Sequence, residues 1–242
     1  MLIIETKNYA EMSKVGAKLI TEEIKRNPNL VIGLPTGRTP LGLYKELIKA
    51  YKNKKVDFSK ATWFNLDEYY PIEKNNKNSF FYYLNKNFFE KINANKKNIN
   101  FLNGETKNPY TECKNYEKKL KKNPIDVLIL GIGANCHIAF NEPGSSFKSK
   151  TRLVSLKKET IKSIKNFKKK DIPKKALTIG ISDILKSKKI ILLASGKSKA
   201  KAVKNLIEKK INKKFPATIL KKHEKFILII DKKASSLLKN FN

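Results

Sequence analysis

His137 and Glu142 are the pair in this chain best equipped to move protons. Only two histidines occur in the sequence, and this one lies in the run Gly131-Ile132-Gly133-Ala134-Asn135-Cys136-His137-Ile138-Ala139-Phe140-Asn141-Glu142-Pro143. An imidazole titrates near neutrality, and a carboxylate close by can fix its tautomer or share the proton work. The two glycines mark a backbone that turns tightly or lets another group come close. Val127-Leu128-Ile129-Leu130 stands just before them and reads as a buried strand. The segment thus carries a histidine and a carboxylate at a strand's carboxyl end, where α/β sheets bind ligands. The plainer alternative is a loop histidine capping backbone groups beside a chance glutamate.

Three more chemically able groups follow apolar runs. Pro35-Thr36-Gly37-Arg38-Thr39-Pro40 comes after the run at residues 30–34. Thr39 suits a helix N-cap and Pro40 a first helical position, ahead of Leu41, Leu43, Tyr44, Leu47 and Ile48. Free amides and two hydroxyls at such a helix start make an anion site. The stretch does not match a Walker loop, and an ordinary βα connection is the alternative. Asp67 closes the run at residues 61–66, placed for acid–base work or for capping a helix. Lys197 follows the run at residues 189–194 and Ser195-Gly196.

The elements that must position these groups alternate in type. Strands are expected at residues 2–5, 30–34, 61–66, 98–102, 125–130, 176–181, 189–194, 216–220 and 226–230, with a short one before Val154. Helical spacing appears at residues 10–24, 40–48, 80–89, 110–122, 157–167, 199–211 and 234–238. The aromatic stripe Phe81, Leu84, Phe88, Phe89 reads as core, since a base-stacking platform would want strands and arginine beside it. Alternating strands and helices predict an α/β fold in one domain over residues 1–242, its sheet mostly parallel and helix-covered on both faces. The four candidate groups then share one rim.

Composition bounds the function. The net charge of +32 comes from 53 Lys and Arg against 21 Asp and Glu. Arginine occurs only at Arg26, Arg38 and Arg152, and the lysines are scattered. Lysine, asparagine, isoleucine, phenylalanine and tyrosine share A/T-rich codons, so a biased genome explains the pattern. A specific nucleic-acid binder would use arginine forks and clustered patches. No run of about 18 apolar residues occurs, so no membrane span is expected. The start lacks a signal-peptide pattern, and Cys113 and Cys136 make no disulfide framework, which points to the cytoplasm.

Several of these stretches, in this order, resemble glucosamine-6-phosphate deaminases over nearly the whole chain. They are Gly33-Leu34-Pro35-Thr36-Gly37-x-Thr39-Pro40, Asn65-Leu66-Asp67-Glu68-Tyr69, Asn78-Ser79-Phe80-Phe81-Tyr82-Tyr83, the histidine segment, Ala194-Ser195-Gly196-Lys197 and Pro216-Ala217-Thr218-Ile219-Leu220. The resemblance implies a Rossmann-like α/β sandwich, shared with phosphogluconolactonases. It implies conversion of glucosamine 6-phosphate and water to fructose 6-phosphate and ammonia, with no metal or organic cofactor. It assigns ring opening to His137, supported by Asn135 and Glu142, and the C2 proton to Asp67. It assigns the phosphate to Thr36, Gly37, Thr39 and Lys197. The partner is a small sugar phosphate, with the chain a monomer or homo-oligomer.

The chain departs from the family pattern in places. Asn135 stands where many members have aspartate, and Cys136 where glycine is usual. A phosphate-binding arginine expected near Asn166 is absent. Arg38, where the family has a small residue, is a candidate replacement, a solvent-facing loop arginine being the plainer alternative, and Lys162 and Lys165 are further candidates for the charge. Val154 interrupts the basic and polar stretch of the allosteric members, so the resemblance does not extend to allosteric control. A 6-phosphogluconolactonase on the same fold, a non-catalytic sugar-phosphate sensor and a nucleic-acid binder are the rival readings. Phe140-Asn141-Glu142-Pro143 and Asp67-Glu68-Tyr69 favour the deaminase over the lactonase.

Overall fold

The computed structural model describes residues 1–164 and 167–238. Among these, seven strands form one parallel sheet. Their order is β1 (Leu2–Thr6), β10 (Phe226–Asp231), β9 (Lys189–Ala194), β6 (Val127–Gly131), β2 (Val31–Leu34), β3 (Thr62–Asn65) and β5 (Ile99–Asn100). The central strands are continuous apolar runs because both faces of the sheet are covered. Side chains alternate between the faces, as the pleat requires. Val127, Ile129, Ile191, Leu193 and Ile229 pack under α1 (Tyr9–Arg26) and α2 (Leu41–Lys52), through Met12, Ile20, Ile24, Leu43 and Leu47. Leu128, Leu130, Ile190, Leu192 and Leu228 pack under α4 (Pro109–Lys122) and α7 (Ala200–Glu208), through Tyr116, Val203 and Leu206. Each such side chain contributes roughly 1.5–3 kcal/mol on full burial. The expectation of helices on both faces holds.

A second sheet departs from the sequence reading. The chain leaves the main sheet at Leu66 and starts β4 (Asp67–Tyr70). That strand pairs antiparallel with β8 (Lys175–Thr178), which pairs in turn with β7 (Arg152–Ser155). Tyr69 and Ala176 join Ile72, Phe140 and Leu156 in a small third core. The remaining α-helices among the described residues are α3 (Phe80–Asn87), α5 (Lys158–Ser163), α6 (Ile181–Leu185) and α8 (Lys232–Ser235).

Four local expectations are corrected. Residues 216–220 are no strand: Pro216–Lys222 is a 3₁₀ helix with Pro216 at its start and Thr218 Oγ1 donating to the Phe215 carbonyl at 2.7 Å. The strand expected over residues 176–181 stops at Thr178, and Ile181 opens α6 after Gly180. Thr39 makes no capping bond, because the helix begins one residue later, behind Pro40. The helix expected over residues 157–167 is described only as α5, and Lys165 and Asn166 lie outside the described residues.

Candidate active site

The order of the sheet sets the place of the site. From β2 the chain builds outward through β3 to β5, whereas β6, on the other side of β2, leads to β9 and β10. Such a switch point leaves a crevice at the strands' carboxyl ends. A cleft of about 510 Å³ opens there, lined by residues 35–39, Asp67, the loop after β6, Phe140, Glu159, Ser198 and Lys199.

The loop after β6 holds the imidazole by a close approach. A Cβ on Gly133 would stand 2.2 Å from His137 Cε1 and 2.3 Å from Nδ1, so only glycine lets the ring lie there. Gly133 N also donates to the His137 carbonyl at 2.9 Å. The His137 backbone N–H donates to Asn135 Oδ1 at 3.2 Å, and Nδ1 lies 2.7 Å from the same oxygen. A peptide N–H can only donate, so an oxygen faces it and Nδ1 carries the ring proton. Nε2 is left with its lone pair. Burial, and secondarily the charge of Lys199, pushes the His137 pKa down to about 4, so the ring is neutral near pH 7.

The resemblance paired Asn135 and Glu142 as supports of the imidazole. The structure places only Asn135 there. Both Glu142 oxygens are turned to α5: one accepts the Lys157 N–H at 2.8 Å, the other the Thr160 hydroxyl. Glu142 is therefore the anchor of the α5 start, a segment that lines the cleft through Glu159 and Thr160. Cys136 sits at φ +66, yet its thiol turns into the core toward the Ala202 carbonyl, 3.4 Å away. Burial raises that thiol to about 11, so it does not act as a nucleophile in the cleft.

Asp67 opens β4 and is buried except for its cleft face. Its carbonyl accepts from the Asn65 side chain at 2.7 Å, which ties the end of β3 to the start of β4. Burial first, and the neighbouring Glu68 charge second, raise its carboxyl to about 8. Glu68 accepts the amides of Tyr69, Phe80 and Phe81 at 2.8–2.9 Å and so caps α3. Those bonds oppose its burial, which still lifts it to about 7.

The turn after β2 gathers Thr36, Gly37, Arg38 and Thr39 on one wall. Gly37 holds φ +96, a left-handed conformation that side chains disfavour. The amides of these four residues have no acceptor among the described residues. Lys197 is corrected. It is exposed and outside the cleft, whereas Lys199 lines it. Gly196, at φ +89, starts a 3₁₀ turn that sends the first lysine outward and the third residue inward. Lys199 has its pKa lowered by burial and then by the charge of Arg38, and both side chains line the cleft. Neither has a carboxylate partner among the described residues.

Sequence reasoning also missed an aromatic wall. Phe80 and Phe140 stack at 5.9 Å and 13°, and Tyr69 meets them at 4.7 and 5.6 Å. Phe140 carried no signal beyond its place in the histidine motif. Arg152 lies away from the cleft, donating to Asn141 Oδ1 at 2.9 Å. No group of three or more His, Cys, Asp and Glu able to hold a metal is found among the described residues. No described helix is long and apolar enough to cross a membrane.

Residues 5–228 match the family Glucosamine-6-phosphate isomerases/6-phosphogluconolactonase. The glucosamine-6-phosphate deaminase of Clostridium botulinum (strain Hall) is 50% identical, over 98% of this chain and 99% of its own length. A solved structure of a monomeric glucosamine-6-phosphate deaminase superposes with a TM-score of 0.96 at 40% identity, covering 98% of this chain and 100% of that one. The 6-phosphogluconolactonase of Trypanosoma brucei, at 19% identity and a TM-score of 0.80 over 98% of both chains, shares the fold. With half its residues in common with a deaminase over nearly its whole length, the chain belongs to the glucosamine-6-phosphate deaminase family.

Proposed function

We propose that this chain converts glucosamine 6-phosphate and water to fructose 6-phosphate and ammonia. One observation carries the reading. A neutral histidine with a free Nε2, a buried carboxyl of raised pKa, and four amides and two cations without partners among the described residues open into the same cleft. The amides and hydroxyls of residues 36–39 receive the phosphate, with Lys199 and Arg38 supplying the charge that a dianion needs.

His137 Nε2 takes the proton of the O1 hydroxyl and delivers it to the ring oxygen, which opens the pyranose. The Nδ1–H bond to Asn135 steadies the transient imidazolium. Asp67 then removes the C2 proton while the aldehyde oxygen O1 takes one up, giving an enolamine. It returns its proton to C1 as the nitrogen gives one up, leaving a hydroxymethyl group at C1 and an imine at C2. Water adds to that carbon and ammonia departs, so atoms and protons balance. A carboxyl near pKa 8 is matched to a shuttle that must both take and give a proton close to neutrality. Glu142 supports the site by fixing the start of α5 over the cleft. The two buried, unpaired cysteines support a reducing, cytoplasmic setting.

A coupled assay for ammonia with glucosamine 6-phosphate tests the reading. Ammonia and fructose 6-phosphate should appear in equal amounts. Acid release from 6-phosphogluconolactone without any ammonia would replace it with the lactonase reading.

A further inference from the structure

The wall that faces the phosphate is only useful if its amides point the right way, and short loops can flip their peptides. Three tyrosine hydroxyls hold the other side of these peptides. Tyr44 of α2 donates to the Pro35 carbonyl. Tyr83 of α3 donates to the Gly37 carbonyl at 2.5 Å. Tyr9, the first residue of α1, donates to the Arg38 carbonyl at 3.2 Å and accepts the Gly42 amide at 2.6 Å. In a trans peptide the C=O and the next N–H point in opposite directions. Pinning the carbonyls of residues 35, 37 and 38 therefore fixes the N–H groups of Thr36, Arg38 and Thr39.

We infer that Tyr9, Tyr44 and Tyr83 are positioning residues that lock the amides of the 36–39 loop toward a bound phosphate. The inference rests on the proposed function, because it assigns that loop to the substrate's phosphate. Gly37 makes the lock necessary: it sits at φ +96 with nothing within 4 Å of the place a Cβ would take, so its peptide has little else to restrain it. The fold makes room for the lock. A Cβ on Gly42 would stand 2.9 Å from the Tyr9 hydroxyl, so a side chain there would push Tyr9 off the loop. Burial raises the phenols of Tyr44 and Tyr83 well above their ordinary range, which keeps both as donors at working pH. Each hydroxyl comes from a different helix, so the loop's shape is set by the packing of α1, α2 and α3 rather than by its own short sequence.

Tyr83→Phe and Tyr9→Phe keep the rings and remove one hydroxyl each from positions that are not fully buried. The experiment titrates the full chain with inorganic phosphate by calorimetry and measures KM and kcat for glucosamine 6-phosphate. The phosphate Kd and the sugar-phosphate KM should rise together, by about threefold to tenfold per hydroxyl, with kcat changed by less than about twofold. An unchanged phosphate Kd in both variants overturns the inference, whatever happens to kcat. If the parent binds phosphate but releases no ammonia, the proposed reaction fails while the phosphate titration still decides the role of the tyrosines. A parent with no phosphate affinity overturns the inference and leaves the reaction to the ammonia assay.

Discussion

Replacing Gly133 with alanine puts a methyl group where the His137 ring lies. The added Cβ would stand 2.2–2.5 Å from three ring atoms. Carbon contacts settle at about 3.5–4.0 Å, so the ring must retreat by about 1 Å or more. The Nδ1 bond to Asn135, now 2.7 Å, does not survive such a move with useful geometry. Misplacement of a catalytic group by about 1 Å lowers the rate on the order of a hundredfold, or about 2.7 kcal/mol in the barrier. Gly133 does not hold a left-handed φ, so alanine adds no backbone strain, and the ring can swing into the open cleft. Gly133→Ala should therefore lose about two decades of kcat in the ammonia assay. Its affinity for inorganic phosphate should be unchanged, and its melting temperature should stay within a few degrees of the parent. A kcat within about threefold of the parent would refute the argument that this glycine exists to seat the imidazole.

Asp67→Asn should abolish ammonia release with substrate affinity nearly intact, and in the parent kcat/KM should rise with pH through about 8 as Asp67 gives up its proton. The same variant should melt higher, on the order of 10 °C at pH 9 and hardly at all at pH 4. Between the ordinary 3.8 and the folded value of about 8 the folded state holds a proton that the unfolded chain has released, so this group weakens the fold as pH rises through that window. Asn135→Leu should lower kcat by about tenfold or more by freeing the tautomer. Asn135→Asp should keep turnover and move the His137 ionisation up from about 4, a shift readable by proton NMR of the ring. Arg38→Ala and Lys199→Ala should each raise KM by about 1.5–3 kcal/mol, roughly tenfold to a hundredfold, with Arg38→Lys recovering part and Lys197→Ala changing nothing. A large KM effect at Lys197 would restore the residue that sequence reasoning chose.

What the sequence disclosed and what it hid divide along a physical line. The central strands were legible because burial on both faces demands uninterrupted apolar runs, as in Val127–Gly131. The second sheet was not, since Asp67-Glu68-Tyr69-Tyr70 has no strand pattern of its own and is strand only by pairing with Lys175–Thr178, far along the chain. His137, Asp67 and the loop at residues 36–39 could be found from their types and their place after strands. Their partners could not. Glu142 is five residues from His137 and looks like its carboxylate, yet the chain turns it onto α5, while the side chain that sets the tautomer is the neutral Asn135. Lys197 and Lys199 differ only by their place in a 3₁₀ turn after a left-handed glycine, and nothing local says which one turns inward.

The same division explains why the proposed anion site carries two cations with no carboxylate partner among the described residues. In an isolated fold, Arg38 and Lys199 repel each other, and the partial burial of Lys199 adds to the penalty. The fold bears this through distant supports: the turn leading into α7 carries Lys199, while the tyrosines on α1, α2 and α3 hold the loop that carries Arg38. A phosphate dianion bound by these cations attracts each of them and outweighs their mutual repulsion, so binding regains what folding gave up. Added phosphate should accordingly raise the melting temperature of the parent, and raise it less in Arg38→Ala, where less repulsion remains to be relieved. Equal stabilisation of both proteins would show that Arg38 faces water rather than the phosphate.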